Sequence, residues 1–182
     1  MLEGRIRDLW IAVERLGRPI VNHRNPGAPV ELLERAFGSP VPSDVATWFA
    51  WANGVAYAAD QTQDDVALVP GYEPVSVEEA AALKAELEVP EVEFLGSYWI
   101  PLLATGAGDF YAATYVPGQE TSRVVSVMIG ETSRIAFLSV DQMVSVFVAL
   151  YRDGVFFVDG EGILQADDVR WLEREEEAVR EA

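Results

Sequence analysis

The chain predicts an α+β fold: a central, mainly antiparallel sheet of about six strands flanked by helices. Helical periodicity occupies residues 2–52, strand-like segments crowd the middle, and the helical pattern returns after Ser139. The connections in the middle carry Gly106, Gly108, Gly118 and Gly130 and are short, which favours antiparallel neighbours. At 182 residues, half of them hydrophobic, the length fits one domain over 1–182 that buries its own core.

Leu2, Ile6, Leu9, Trp10, Val13 and Leu16 recur at three- and four-residue steps, predicting an amphipathic first helix that stops at Gly17. After a loop containing Asn25-Pro26-Gly27, Pro29 suits the first position of a short helix, VELLERAF, which Gly38 ends. Ser43 is expected to cap a third helix with Val45, Trp48, Phe49 and Ala52 on one face and Asn53-Gly54 at its exit. Val55, Tyr57 and Ala59 then alternate, and Val66 to Val69 follows a polar turn, so a β-hairpin is expected before Pro70-Gly71-Tyr72. Ser76 with Glu79 forms a capping box ahead of a helix running to about Glu88. Strands are expected at 98–103, 110–116, 124–129 and 134–138, and Ser139 with Gln142 repeats the capping box before an apolar helix reaching Leu150. Past Asp159-Gly160-Glu161-Gly162, a charged helical extension over 159–182 starts near Asp167 or Asp168, with Glu176 and Arg180 one turn apart.

The run WIPLLATGAGDFYAATYV, residues 99–116, is two apolar segments around Gly106-Ala107-Gly108 and Asp109. A dinucleotide fingerprint needs a third glycine and then a helix. Tyr111 stands at that third position and a strand pattern follows, so the glycines read as a hairpin-type connection and Asp109 as the acid that braces it.

The formal net charge is −17, and it is uneven. Residues 1–59 balance, residues 60–93 carry ten acids against Lys84 alone, and the last 24 residues carry nine acids against three arginines. Such a field repels nucleic acid and anionic lipid and speeds association with a cationic partner. No basic stripe exists to neutralise phosphates, and no apolar run reaches the roughly 18 residues that span a bilayer. The charged N-terminus and the absence of cysteine lead to the expectation of a cytoplasmic protein.

Most catalytic sets fail on inventory. His23 is the one histidine and cysteine is absent, so a His/Cys zinc or copper site is not expected. No Gly-x-Ser-x-Gly elbow, P-loop or EF-hand spacing occurs, and His23 sits in a loop, VNHRNPG, where bracing or solvation is the simpler role. Thirty acids leave carboxylate chemistry formally open, although nothing marks two of them as placed together. The expectation is no catalytic residue, no cofactor, no metal and no small-molecule substrate. Trp48, Trp51, Trp99 and Tyr111 fall at core spacing.

The order of these signals resembles the SUKH superfamily, the Smi/Knr-like immunity and regulatory proteins. VPSDVATWFAWANG, from Val41-Pro42 to Asn53-Gly54, is similar to that family's "Leu-Pro-x-Asp, helix, Asn-Gly" opening. Val69-Pro70-Gly71-Tyr72 before a capped helix, Trp99-Ile100-Pro101 leading into Gly106-Ala107-Gly108-Asp109, and Ser139 opening an apolar helix with Phe147 continue the likeness over about 9–150. The resemblance implies a helix-flanked sheet without catalytic residues that binds another protein. Bacterial members of this kind bind and block a toxin, often a nuclease. An acidic chain suits the cationic groove of such a toxin. The expected contacts are Asp60, Asp64 and Asp65, taken as lying on an exposed loop. The alternative is a regulatory scaffold with no toxin partner.

Overall fold

The computed structural model describes residues 1–87 and 93–180. The N-terminal part is helical: α1 (Leu2–Arg15), a 3-10 turn (Pro19–Asn22), α2 (Val30–Phe37), α3 (Ser43–Trp51) and the single-turn α4 (Gln63–Val66). Then come β1 (Glu73–Pro74), α5 (Val77–Glu86), β2 (Trp99–Ala104), β3 (Phe110–Thr114), β4 (Arg123–Val127) and β5 (Arg134–Phe137). The chain continues through α6 (Val140–Arg152), β6 (Phe156–Val158), β7 (Leu164–Ala166) and α7 (Asp168–Arg180). The fold is α+β. β1 to β5 pair in chain order as a five-stranded antiparallel meander, and β6 with β7 makes a separate two-stranded hairpin.

Both faces of the meander are covered, which is why its strands read as near-continuous apolar runs. Tyr111 and Ala113 of β3 face the main core, where α1 and α6 supply Leu9, Val13, Met143, Val144 and Phe147. Phe110 and Ala112 face the other way, into a smaller cluster with Leu95, Trp99 and Val125, against which Leu83 and Leu87 pack. The alternation along β3 therefore sorts one strand between two cores.

Most helix ends follow their local chemistry. Gly17 and Gly38 take the left-handed conformation at φ +70° and +69° beyond the ends of α1 and α2. Ser76 and Glu79 close the expected capping box, and Gln142 donates its backbone N–H to Ser139 Oγ at 3.0 Å. The Gln142 side-chain carbonyl accepts from Leu138 N rather than from Ser139, so the second cap is only half of a box. The helix expected after Ser76 was to reach about Glu88, a residue that lies outside the described ones.

Three expectations are corrected. Residues 55–69 do not form a hairpin. Thr62 and Asp65 close a capping box that winds α4, Tyr57 and Ala59 stand exposed, and Val66, Ala67, Leu68 and Val69 are all buried in succession. Val55 bridges to Arg24 instead, and local capping outweighs the rest of the short alternating pattern, which has no partner strand among the described residues. The second correction concerns the last segment, where Asp159-Gly160-Glu161-Gly162 is the turn of the β6–β7 hairpin, not a lead-in to a helix. Asp159 Oδ1 accepts from Glu161 N and Ile163 N at 2.9 and 3.0 Å. The third is the start of α3, where Pro42 occupies the cap and Ser43 donates instead to Glu120 O. Its neighbour Asp44 is buried and accepts from Val45 N, Ser122 N and the Ser122 hydroxyl, tying α3 to the loop before β4.

Candidate functional site

A cleft of about 480 Å³ opens between the sheet and α7. Its floor is Tyr72 and Tyr111, its far wall is Asp168, Trp171, Leu172 and Glu175 of α7, and its rim includes Pro70, Thr105, Asp109 and Glu131. A larger cavity of about 620 Å³ lies by β3, β4 and β5, lined by Thr114, Gln119, Thr121 and Ser122, with Arg123 the one formal charge among the described residues that line it. The smaller cleft concentrates the chemistry.

Two turns build its rim. Val69-Pro70-Gly71-Tyr72 closes with Tyr72 N donating to Val69 O at 2.9 Å, and Gly71 supplies the φ of +79° that the turn needs. In the β2–β3 connection, Thr105 Oγ1 accepts from Ala107 N and Asp109 N. Gln63 clamps the two turns together. Its amide donates to Gly71 O at 3.2 Å, and a Cβ on Gly106 would come within 3.1 Å of its Oε1. Asp109 Oδ1 accepts from Ile129 N at 2.8 Å, so the carboxylate braces the β4–β5 turn and not, as expected, its own, which is held by the Asp109 backbone and Thr105. Gly108 keeps that approach open, since a Cβ there would sit 2.9 Å from Ile129 Cδ1.

Beneath the rim lies a buried polar network. Glu175 of α7 is 1% exposed; Tyr111 donates its hydroxyl to Glu175 Oε1 at 2.6 Å, and the Arg134 guanidinium donates to Oε2. Burial first, and the Glu175 carboxylate second, push the Tyr111 hydroxyl well above its usual range. Burial, then Asp109 and Glu175, push Tyr72 up to about 12. Both phenols are therefore neutral hydrogen-bonding groups at physiological pH. Arg134 is neutralised by Glu175, which leaves Asp109, Glu131 and Asp168 as the excess charge of the cleft. Apolar groups flank it: Ile129 is 72% exposed, Val169 68% and Leu172 45%.

The residues singled out from the sequence separate into three places. Pro70, Gly71, Gly106, Gly108 and Asp109 come together at the cleft. Asn53 and Gly54 do not; they hold the start of α5, where Val77 N donates to Asn53 Oδ1 at 2.8 Å and a Cβ on Gly54 would lie 2.8 Å from Ser76 N. Asp60, Asp64 and Asp65 do not form one exposed acidic loop. Asp60 is exposed, whereas Asp65 turns back on Thr62, whose N–H and hydroxyl hold its carboxyl below the usual range. Asp64 faces inward, accepting from Arg18 at 2.6 Å and from Leu164 N at 2.9 Å, while Arg18, only 2% exposed, also donates to Gly162 O. Asp64 is thus the anchor between α4 and the β6–β7 hairpin. Part of the acidic 60–93 stretch, residues 88–92, lies outside the described residues.

Tyr72, Arg134, Trp171 and Glu175 were not singled out as site residues. Glu175 carried a readable signal, since Trp171, Glu175 and Ala178 share one helical face and place an acid on an apolar stripe. No family model matches the chain, and no curated protein matches it significantly.

Proposed function

We propose that this chain is a non-catalytic, cytoplasmic protein-binding module of the SUKH type, whose partner is a basic protein, in its bacterial setting a toxin domain such as a nuclease. One observation carries the reading: the cleft between the sheet and α7 combines surplus carboxylates with exposed apolar groups at Ile129, Val169 and Leu172. Charge complementarity steers a cationic partner to such a surface, and the apolar groups supply area that loses water on contact. The remaining acids add to the long-range field of a chain with net charge −17. The resemblance supports the same reading, because Pro42, Asp44 and Asn53-Gly54 all hold fold-defining contacts.

The test uses the full chain and a Glu131→Lys/Asp168→Lys double variant as baits in lysate of the native organism. The wild type is expected to retain a basic protein that the variant loses, with association slowing as salt rises. Loss of that protein's activity at one equivalent of the chain marks a toxin, and unchanged activity marks the regulatory scaffold. Retention of the same proteins by both baits would overturn the cleft as the binding surface.

A further inference from the structure

Tyr72 is the unexplained group in the cleft. It is 93% buried by accessible surface, being 7% exposed, yet no described residue accepts from or donates to its hydroxyl. Its ring is fixed by Tyr111, with centroids 4.9 Å apart, and by Trp171 edge to face at 6.2 Å. The ring is buried but the hydroxyl opens into the cleft, where a ligand atom can take the place of solvent. Around these groups stand the Asp109, Glu131 and Asp168 carboxylates, with Arg134 already neutralised by Glu175.

Resting on the reading of this chain as a binder of a basic protein, we propose that the cleft receives an arginine side chain of that partner, with the Tyr72 hydroxyl and the surrounding carboxylates accepting from its guanidinium. The cation is favoured by the surplus negative charge. A guanidinium fits better than an ammonium for two reasons. It is planar and weakly hydrated, so it sheds water readily against the Tyr72 and Trp171 rings, and its five N–H donors can serve acceptors on several walls at once. The cleft volume of about 480 Å³ holds this side chain together with flanking backbone. Among the described residues no three metal-ligating side chains converge, which separates this site from a cation site for a bare metal ion.

The probe is N-acetyl-arginine amide, titrated at low salt into the ¹⁵N-labelled full chain and followed by amide and indole shifts. N-acetyl-citrulline amide, the neutral isostere, and N-acetyl-lysine amide are the controls. Saturable shifts are expected at Thr105, Asp109, Ile129 and the Trp171 indole, weak or absent with citrulline and at least threefold weaker with lysine. Tyr72→Phe keeps the ring packing and removes one neutral hydrogen bond, so it folds normally and binds the probe about fivefold more weakly. The proposal is overturned by shifts spread over the acidic surface, by equal binding of the citrulline probe, or by unchanged affinity in Tyr72→Phe. A basic partner captured while the probe leaves the cleft untouched overturns the arginine assignment alone. Probe binding without any basic partner supports the cleft chemistry and overturns the wider reading instead.

Discussion

Glu175 is the residue on which the docking of α7 is expected to turn. Glu175→Ala removes the acceptor of the Tyr111 hydroxyl, whose residue is only 3% exposed. Leaving that group unpaired costs about 2 kcal/mol. The same change frees the Arg134 guanidinium, but that side chain is 35% exposed and rehydrates, so its share is discounted to about 1 kcal/mol. The total, about 3 kcal/mol, lies at the lower edge of what breaking a buried ion pair costs. For a chain of this size it corresponds to a fall in Tm of roughly 6–12 °C. Urea unfolding followed by far-ultraviolet circular dichroism gives the global loss, and the Trp171 indole resonance of the ¹⁵N-labelled chain reports α7. Glu175→Gln keeps an acceptor for Tyr111 and is expected to lose about half as much. Glu175→Leu combined with Arg134→Met, which removes both charges and fills the space, is expected to recover most of the loss. A Glu175→Ala protein within about 0.5 kcal/mol of wild type would refute the network as the fastening of α7.

Asp64→Ala strands the buried Arg18 guanidinium and is expected to destabilise by about 3 kcal/mol in urea, while Asp60→Ala stays within about 0.5 kcal/mol. Equal effects at the two positions would remove the assignment of Asp64 as an internal anchor. Gly27→Ala places a Cβ 1.8 Å from Ala50 O, which is backbone and cannot yield, so a loss of about 3 kcal/mol or failure to fold is expected. Gly17→Ala, with open space and only its φ of +70° to oppose it, is expected to cost about 1 kcal/mol. The depressed Asp65 carboxyl binds fewer protons folded than unfolded. Its contribution to α4 is therefore present above the ordinary carboxylate range and lost as pH falls below about 4 through the folded value. Protection factors across 62–67, which remove the intrinsic slowing of exchange in acid, are expected to drop on acidification in the wild type and to vary less with pH in Asp65→Ala. An identical pH dependence in both would count against the capping role.

Where local chemistry acts alone, the sequence was legible. Leu2 to Val13 at helical steps, Gly17 and Gly38 beyond their helices, the Ser76–Glu79 box and four of the meander's five strands, β2 to β5, follow from spacing and capping, which neighbouring residues settle among themselves. The misreadings fall where two local signals compete. Val55, Tyr57 and Ala59 alternate as a strand would, but Thr62 and Asp65 offer the backbone a cap, and among the described residues no partner strand is present to reward the alternative. The β6–β7 hairpin was hidden because three-residue strands are too short to show a period.

For the candidate site, the sequence determined its glycines, prolines and bracing acid, because the turns at Pro70-Gly71 and Gly106–Asp109 require special backbone geometry wherever they lie. Only the tertiary structure decided which acids face outward. Asp64 looks like any other member of its acidic run and Glu175 shows only as an acid on an apolar stripe, yet each is drawn inward by an arginine far away in the chain, at positions 18 and 134. A carboxylate's role depends on the partner brought to it, and such partners are assembled by folding across distances at which the sequence carries no periodic signal.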